Sequence, residues 1–422
     1  MKRWTRGTRK TIASATAIAV LVAVPTVAAI LHEGFPTTDI DLDTHNVWVT
    51  NGEELLAGRL NRQIEELDGS VSAMTSAVDV LQHGDDVLLY DPSLGQVDRI
   101  DPAFTSLVEK SEVEPGSRIA FGGTTLAVLA PKGDLWVTDI AGGLSLDIAG
   151  TEPDVALGPG AAVSVSGGGT VFATARGERE LVTIEGVGAE PAHTGLPELG
   201  EHQLAAVGET AVILDTDANT VITASGESIE LPDPAVKLQQ SGAENAFALV
   251  ATGDALLEVP LDGGEVIRHE AGIAQASAEA AEVSSPVWLD GCAHGAWAAA
   301  QRYLFDCADG TGDSVDIPKP TAGSVLEFRV NRSVIALNNL TNGDVWLVDS
   351  SMRLVDNWEE VTPPEQEETE EGDEKSSQQS FEDTLAERTD QNRPPLARDD
   401  QFGVRPGSTT VLPVLDNDTD PD

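Results

Sequence analysis

VWVTNGEELLAGRL (residues 47–60) and VLLYDPSLGQVDRI (87–100) follow one plan: a run of β-formers, a polar turn, then a second run of β-formers. The plan returns as LWVTDIAGGLSLDI from Leu135, VFATARGERELVTI from Val171 and AVILDTDANTVITA around Val212. It continues as LLEVPLDGGEVIRH from Leu256, WAAAQRYLFDC from Trp297 and VWLVDSSMRLVDNW from Val345. Apolar β-branched runs bounded by Gly, Asp and Asn read as strands joined by hairpin turns. From residue 47 to residue 345 the units begin on average about 43 residues apart, near the ~40–45-residue period of propeller blades. Four strands of about 5–6 residues with their turns fill such a period. Residues 39–361 are therefore expected to be all-β, a β-propeller of seven or eight four-stranded blades. A row of β-sandwiches with irregular hairpins is the competing fold, but it supplies no reason for one period across the whole stretch. No repeated W-D or Y-W-T-D signature accompanies the units, so the reading rests on the period. IAQASAEAAEV (273–283) reads as a short helix or a loop.

The 422 residues carry 25 Lys and Arg against 71 Asp and Glu, a net charge of −46. Such a surface repels phosphate backbones, which argues against nucleic acid as a partner. A hydrophobic fraction of 41% is enough to fill a core. The two cysteines can build neither a disulfide-dense scaffold nor a four-thiolate zinc site.

The charge is unevenly placed. Lys2, Arg3, Arg6, Arg9 and Lys10 crowd the start, and the next 21 residues, 11–31, carry no charge. About 20 helical residues span the ~30 Å apolar core of a bilayer. Residues 1–10 are expected to be a cytoplasmic basic segment and 11–32 a transmembrane signal anchor, or a signal peptide cleaved near Val27 and Ala29. Either reading exports the body of the chain, single-pass at the cell membrane if anchored and secreted if cleaved.

Export bears on the cysteines. If the chain reverses near Ala299–Ala300, antiparallel pairing sets Cys292 opposite Cys307. In an oxidising compartment that pair is expected to form a structural disulfide. His294, two residues from Cys292, is expected to be a structural histidine rather than the base of a nucleophile pair. None of His32, His45, His83, His193, His202, His269 and His294 falls at metal-helix spacing. SGGGT (166–170) lacks the Lys of a phosphate loop and reads as a turn. DTDAN (215–219) lacks the Gly and distal Glu of a calcium loop and reads as a hairpin turn, and DIDLD (39–43) reads as an exposed strand face. With 71 acids, no carboxylate pair for glycoside chemistry stands out, and no catalytic set is assigned.

After Val361 the composition changes. Between Asp356 and Asp390 lie 14 acids and two bases, so residues 362–391 read as an extended, acidic, disordered linker. At 392 a distinct text begins: NRPPLARDDQFGVRPGSTTVLPVLDNDTDPD. Pro394, Pro395, Ala397, Asp399, Asp400, Gly407, Val414, Leu415 and the run 416–422 resemble the opening of cadherin-like, Ig-like tandem repeats of large bacterial surface proteins. The resemblance implies an Ig-like β-sandwich repeat, incomplete over 392–422. The whole layout resembles actinobacterial cell-surface proteins with an N-terminal signal or anchor, a propeller-like region and tandem Ig-like or fibronectin type III modules. In such repeats acidic loops can bind calcium. By that analogy Asp416, Asn417, Asp418, Asp420 and Asp422 are the candidate calcium ligands, and no other cofactor is indicated.

The functional expectation is an exported, surface-anchored, non-catalytic binding or adhesion protein, or an envelope scaffold, with the propeller as its interaction platform. Its partners would be a surface glycan or an envelope protein, besides the membrane met by the N-terminal helix. The alternative is an extracellular carbohydrate-active enzyme, a glycosidase or lyase, with its site in the propeller channel.

Overall fold

A computed structural model of the protein describes residues 46–363, apart from 147, 149, 275–281, 320–322 and 350. The chain divides into two units, Met1–Pro363 and Pro364–Asp422, and the described residues belong to the first. The expected span at 11–32, His32, His45, the DIDLD stretch, nearly all of the linker, the Ig-like repeat and the Asp416–Asp422 cluster lie outside the described residues, as does most of 273–283. Among the described residues no helix is long and apolar enough to cross a membrane.

Eight antiparallel sheets follow one another along the chain. Seven have four strands, and the first, Asn46–Asn51, Leu56–Asn61 and Glu66–Ser72, has three among the described residues. The protein is an eight-bladed, all-β propeller. The innermost strands of blades 2 to 8 are Asp79–His83, Arg118–Gly122, Val163–Val165, His202–Val207, Ala235–Leu238, Val287–Leu289 and Leu326–Asn331.

The period in the structure is tighter than the sequence units suggest. The units at 47, 87, 171 and 212 fall on second strands, but those at Leu135, Leu256 and Val345 fall on third strands, and Trp297 ends a second strand. Second strands begin at Asn46, Asp86, Thr125, Val171, Thr210, Phe247, Cys292 and Val334, at intervals from 37 (210 to 247) to 46 (125 to 171). Second and third strands are both apolar because each blade is covered on both faces. That likeness shifts the sequence phase by one strand.

Each blade contact buries its own apolar cluster. Trp48, Val71, Val80 and Leu89 join blades 1 and 2; Leu88, Val97, Leu126 and Ile140 join 2 and 3. Equivalent clusters follow between 3 and 4, 4 and 5, 5 and 6, 6 and 7, and 7 and 8. The eighth cluster brings Val47, Val49 and Leu60 of blade 1 against Ala336, Val345 and Leu347 of blade 8, which closes the ring.

Blade 1 solves a problem the others do not have. Its first described strand, Asn46–Asn51, matches the second strands of the other blades, so its inward edge carries backbone groups that a neighbouring strand would otherwise satisfy. Amide side chains take that place. Gln82 of blade 2 accepts from Trp48 N (2.8 Å) and donates to Trp48 O (3.1 Å). Asn338 of blade 8 does the same to Thr50 N (2.8 Å) and O (3.0 Å), and Asn331 donates to Asn46 O (3.2 Å). The outer edge is treated alike: Asn357 accepts from Leu67 N and donates to Leu67 O, both at 3.0 Å. Asn357 precedes a one-turn helix, Trp358–Val361, whose Trp358 ring covers Gly58 and whose indole donates to Gly343 O at 2.7 Å. A Cβ at Gly58 would stand 2.6 Å from that ring, so only glycine fits there.

Two sets of substitutions test the closure and the stability of the ring. Asn338 is fully buried, so Asn338→Ala strands both backbone groups of Thr50 and is expected to cost about 2–4 kcal/mol in chemical denaturation; a loss below about 0.5 kcal/mol would show the edge is satisfied otherwise. Cys292 and Cys307 pair in register and are disulfide-bonded at a separation of 15 residues. Replacing both with alanine is expected to lower stability by about 2–3 kcal/mol, read in the same assay under oxidising conditions, with no effect under strong reductant.

Candidate functional site

The inner strands of blades 2 to 8 surround a cavity of about 880 Å³. Its wall takes in the whole inner strand of blade 2 and all of that of blade 8 but Leu326, the last residues of those of blades 3 and 4, and only turn or loop residues of blades 5 and 6. The cavity thus deepens where blade 1 contributes no inner strand among the described residues.

Two-residue turns between first and second strands ring one mouth. At Asp290 (φ 49°) and Gly291 (φ 80°) both central residues are left-handed, the geometry that fits a tight turn to the twist of a hairpin. Blade 6 departs from this pattern. Its strands Ala235–Leu238 and Phe247–Thr252 are joined by QQSGAENA (239–246), which runs into the channel. Gln240 donates from its backbone to Pro286 O (2.9 Å) and from its side chain to Phe328 O (2.9 Å), reaching blades 7 and 8. Ser241 Oγ meets Ser164 Oγ of blade 4 at 2.7 Å and accepts from Ala206 N of blade 5 at 3.0 Å. Gly242 adds a parallel bridge to Val207. This short segment ties blades 4, 5, 7 and 8 together across the middle of the ring.

Charge in the deep part of the cavity comes mainly from three residues. Along Leu326–Asn331, Leu326 and Phe328 turn into the apolar cluster between blades 7 and 8, whereas Glu327 and Arg329 belong to the opposite face. Arg329, only 5% exposed, pairs with Asp79 Oδ1 of blade 2 at 2.6 Å. It also approaches Val80 O and Thr50 Oγ1, while its Nε has no hydrogen-bond partner. Burial opposes its charge, but Asp79 and Glu327 outweigh that and hold its pKa above the ordinary value. Burial pushes the Glu327 carboxyl up, reinforced by Asp79 and resisted by Arg329 and by Lys237. At the mouth, Glu209 accepts from Ser166 Oγ (2.7 Å) and Gly168 N (3.0 Å), and these bonds, the one from Ser166 above all, hold its pKa down. Asp85, Glu209, Glu244 and Asp290 make the exposed rim acidic, with Arg332 joined to Asp85 at 3.0 Å.

A second group lies on the outer part of the ring. His269 of blade 6 stands between Glu258 Oε1 (3.1 Å) on the neighbouring strand and Asp306 Oδ2 (3.3 Å) of blade 7. The three offer ligand atoms close enough for a metal ion. Each imidazole nitrogen already faces its own carboxylate, which suits an imidazolium bridge between blades. The bond to Glu258 chiefly raises the His269 pKa, against burial, with Asp306 adding to it.

The residues singled out in the sequence are scattered. His294 is buried, its Nδ1 at 2.8 Å from the Tyr303 hydroxyl, and Cys292 is in the disulfide. SGGGT is the turn capped by Glu209. DTDAN is a hairpin turn in which Asp215 accepts from Ala218 N at 2.8 Å. His193 pairs with Glu180 and His202 meets Thr174 Oγ1. Glu327, Arg329 and Asp79 were missed. The only sequence signal was a charged pair, Glu327 and Arg329, alternating with apolar residues in LEFRVN (326–331).

No family model matches the chain, and no curated protein matches it. Similar solved structures include the dihydro-heme d1 dehydrogenase NirN in complex with DHE, at 15% identity over 76% of this chain and 74% of that one, with a TM-score of 0.53. AztD from Citrobacter koseri is 12% identical over 65% of this chain and 84% of its own, with a TM-score of 0.46. BamB from Moraxella catarrhalis is 12% identical over 72% and 96%, with a TM-score of 0.44. The likeness to NirN shows the propeller fold and nothing further.

Buried His294 and half-buried His269 give opposite pH dependences. The His269 bridge stabilises fully below the unfolded imidazole value, ~6.5, and fades as pH rises through its raised folded value. Burial lowers His294 to about 4, so acidification from ~6.5 towards that value costs up to about 3 kcal/mol. His269→Gln is therefore expected to lose more stability at pH 6 than at pH 9, and NMR titration should separate the two imidazoles in opposite directions from ~6.5. A pH-independent deficit in the variant would remove the bridge.

Proposed function

We propose that this chain is an exported, surface-anchored binding protein of the cell envelope whose propeller mouth docks a basic face of another envelope protein. Export and anchoring rest on the basic segment and the uncharged run at 11–31, and a stalk beyond the ring on the likeness of 392–422 to Ig-like repeats. The carrying observation is the acidic rim at Asp85, Glu209, Glu244 and Asp290, set on turns that the loop across the channel and the amide clasps hold in place. A fixed surface with one sign of charge steers an oppositely charged partner and sets its orientation. An acidic rim suits a basic protein better than an acidic glycan.

The channel supports binding over glycoside chemistry. Hydrolysis uses two carboxylates about one glycosidic bond. Among the described residues of the wall, Asp79 is neutralised by Arg329, and Glu209 is engaged by Ser166 and Gly168. Glu327 alone stays without a hydrogen bond.

The test is affinity capture of envelope proteins by the full chain, then titration of each purified partner. Glu244→Lys with Asp290→Asn, which keeps a residue suited to the left-handed turn, is expected to weaken binding about threefold to tenfold and to flatten its salt dependence. Binding indifferent to both changes would move the interface away from the mouth. Glycan cleavage abolished by Glu327→Gln would replace this reading with the enzymatic one.

A further inference from the structure

The Glu327 carboxylate is, among the described residues of the wall, the carboxylate without a hydrogen bond. It lies half-buried on the innermost strand of blade 8 and lines the cavity. Among the described residues it has neither a hydrogen bond nor an ion pair. The nearest candidate on its own strand, Arg329, is committed to Asp79 at 2.6 Å. Asp79 also accepts from Val80 N at 2.8 Å, and Glu209 accepts from Ser166 and Gly168, so the other two carboxylates of the wall already have partners. A carboxylate withdrawn from water without a compensating partner is costly, and a cation brought beside it recovers that cost.

We propose that the channel cavity binds an organic cation, a primary ammonium on an apolar stem, with Glu327 as its counter-charge. Part of the wall fits that shape. Phe121 and Trp288 line the cavity and are only partly buried, so they can cover a hydrocarbon stem. Trp288 makes a T-shaped contact with Phe247 at a centroid distance of 5.0 Å, which fixes its ring beside the cavity. A volume of about 880 Å³ lies in the range of small-ligand sites. The acidic rim and the net charge of −46 concentrate cations at the mouth and turn anions away. The upward push of burial on the Glu327 carboxyl agrees with this, since a bound ammonium would bring it back down.

The same ammonium could arrive on a free amine or on a lysine side chain of a docked partner. The inference thus deepens the proposal that the mouth is a docking face and rests on it. The experiment is calorimetric titration of the full chain with 1,5-diaminopentane, with the peptide Gly-Gly-Lys-Gly-Gly, and with 1,5-pentanediol as the uncharged analogue. Saturable binding of the diamine or the peptide at one site is expected, with none for the diol, and Glu327→Gln should weaken it about tenfold or more. Glu327→Asp, which keeps the charge on a shorter arm, should fall between, and Glu112→Gln on an outer strand should bind as the native chain does. Binding of the peptide points to a partner's lysine; binding of the diamine alone points to a free amine. Equal affinity in Glu327→Gln, or neither the diamine nor the peptide binding better than the diol, overturns the proposal. If diamine binding fails while Glu244→Lys still weakens partner docking, only this inference falls. If Glu327-dependent diamine binding stands while the rim changes leave docking intact, only the docking face does.

Discussion

The structure depends on how the ring closes at blade 1. A sheet edge facing inward carries backbone donors and acceptors that must find partners or pay for their burial. Here the inward edge of Asn46–Asn51 is answered by Gln82, Asn338 and Asn331, and the outward edge at Leu67 by Asn357. A carboxamide can do this because it carries a donor and an acceptor on one planar group, as a peptide unit does. The donors come from blades 2 and 8 and from the segment after blade 8, so the clasp spans the first and last parts of the ring. The apolar cluster between blades 1 and 8 then has a fixed register in which to pack.

The same gap shapes the interior. Since blade 1 lends the cavity no inner strand among the described residues, blades 2 and 8 approach each other there, and Arg329 reaches Asp79. That pair, its guanidinium buried and short of one hydrogen bond at Nε while the carboxylate stays partly exposed, is a weak source of stability but a strong constraint on geometry. Elsewhere the loop of blade 6 ties opposite blades together through Gln240 and Ser241. Glu327 is left between these two devices without a hydrogen bond among the described residues, its charge answered only through space by Arg329 and Lys237, and the functional reading of the channel follows from that.

Much of the architecture was legible in the chain. Runs such as DVLLYD (86–91) and VFATA (171–175), broken by glycine and acidic turns at a steady interval, are what a fold of repeated short sheets requires. The pairing of Cys292 with Cys307 followed from counting residues about one turn, because a hairpin fixes its register locally. The phase of the blades was not legible. DLWVTD (134–139) and TLAVL (125–129) are equally apolar, since both pack against neighbouring blades, and nothing within either says which is second and which third.

The sequence by itself determined the strands, their period, the disulfide and the surplus of negative charge, all properties of neighbouring residues or of composition. Only the tertiary structure decided the number of blades, the clasp made by Gln82 and Asn338, and the meeting of Asp79 with Arg329 and Glu327. Asn338 meets Thr50 across 288 positions of chain, and Arg329 meets Val80 across 249. A contact between residues so far apart leaves no periodic or local mark, because it exists only once the first and last blades have come together.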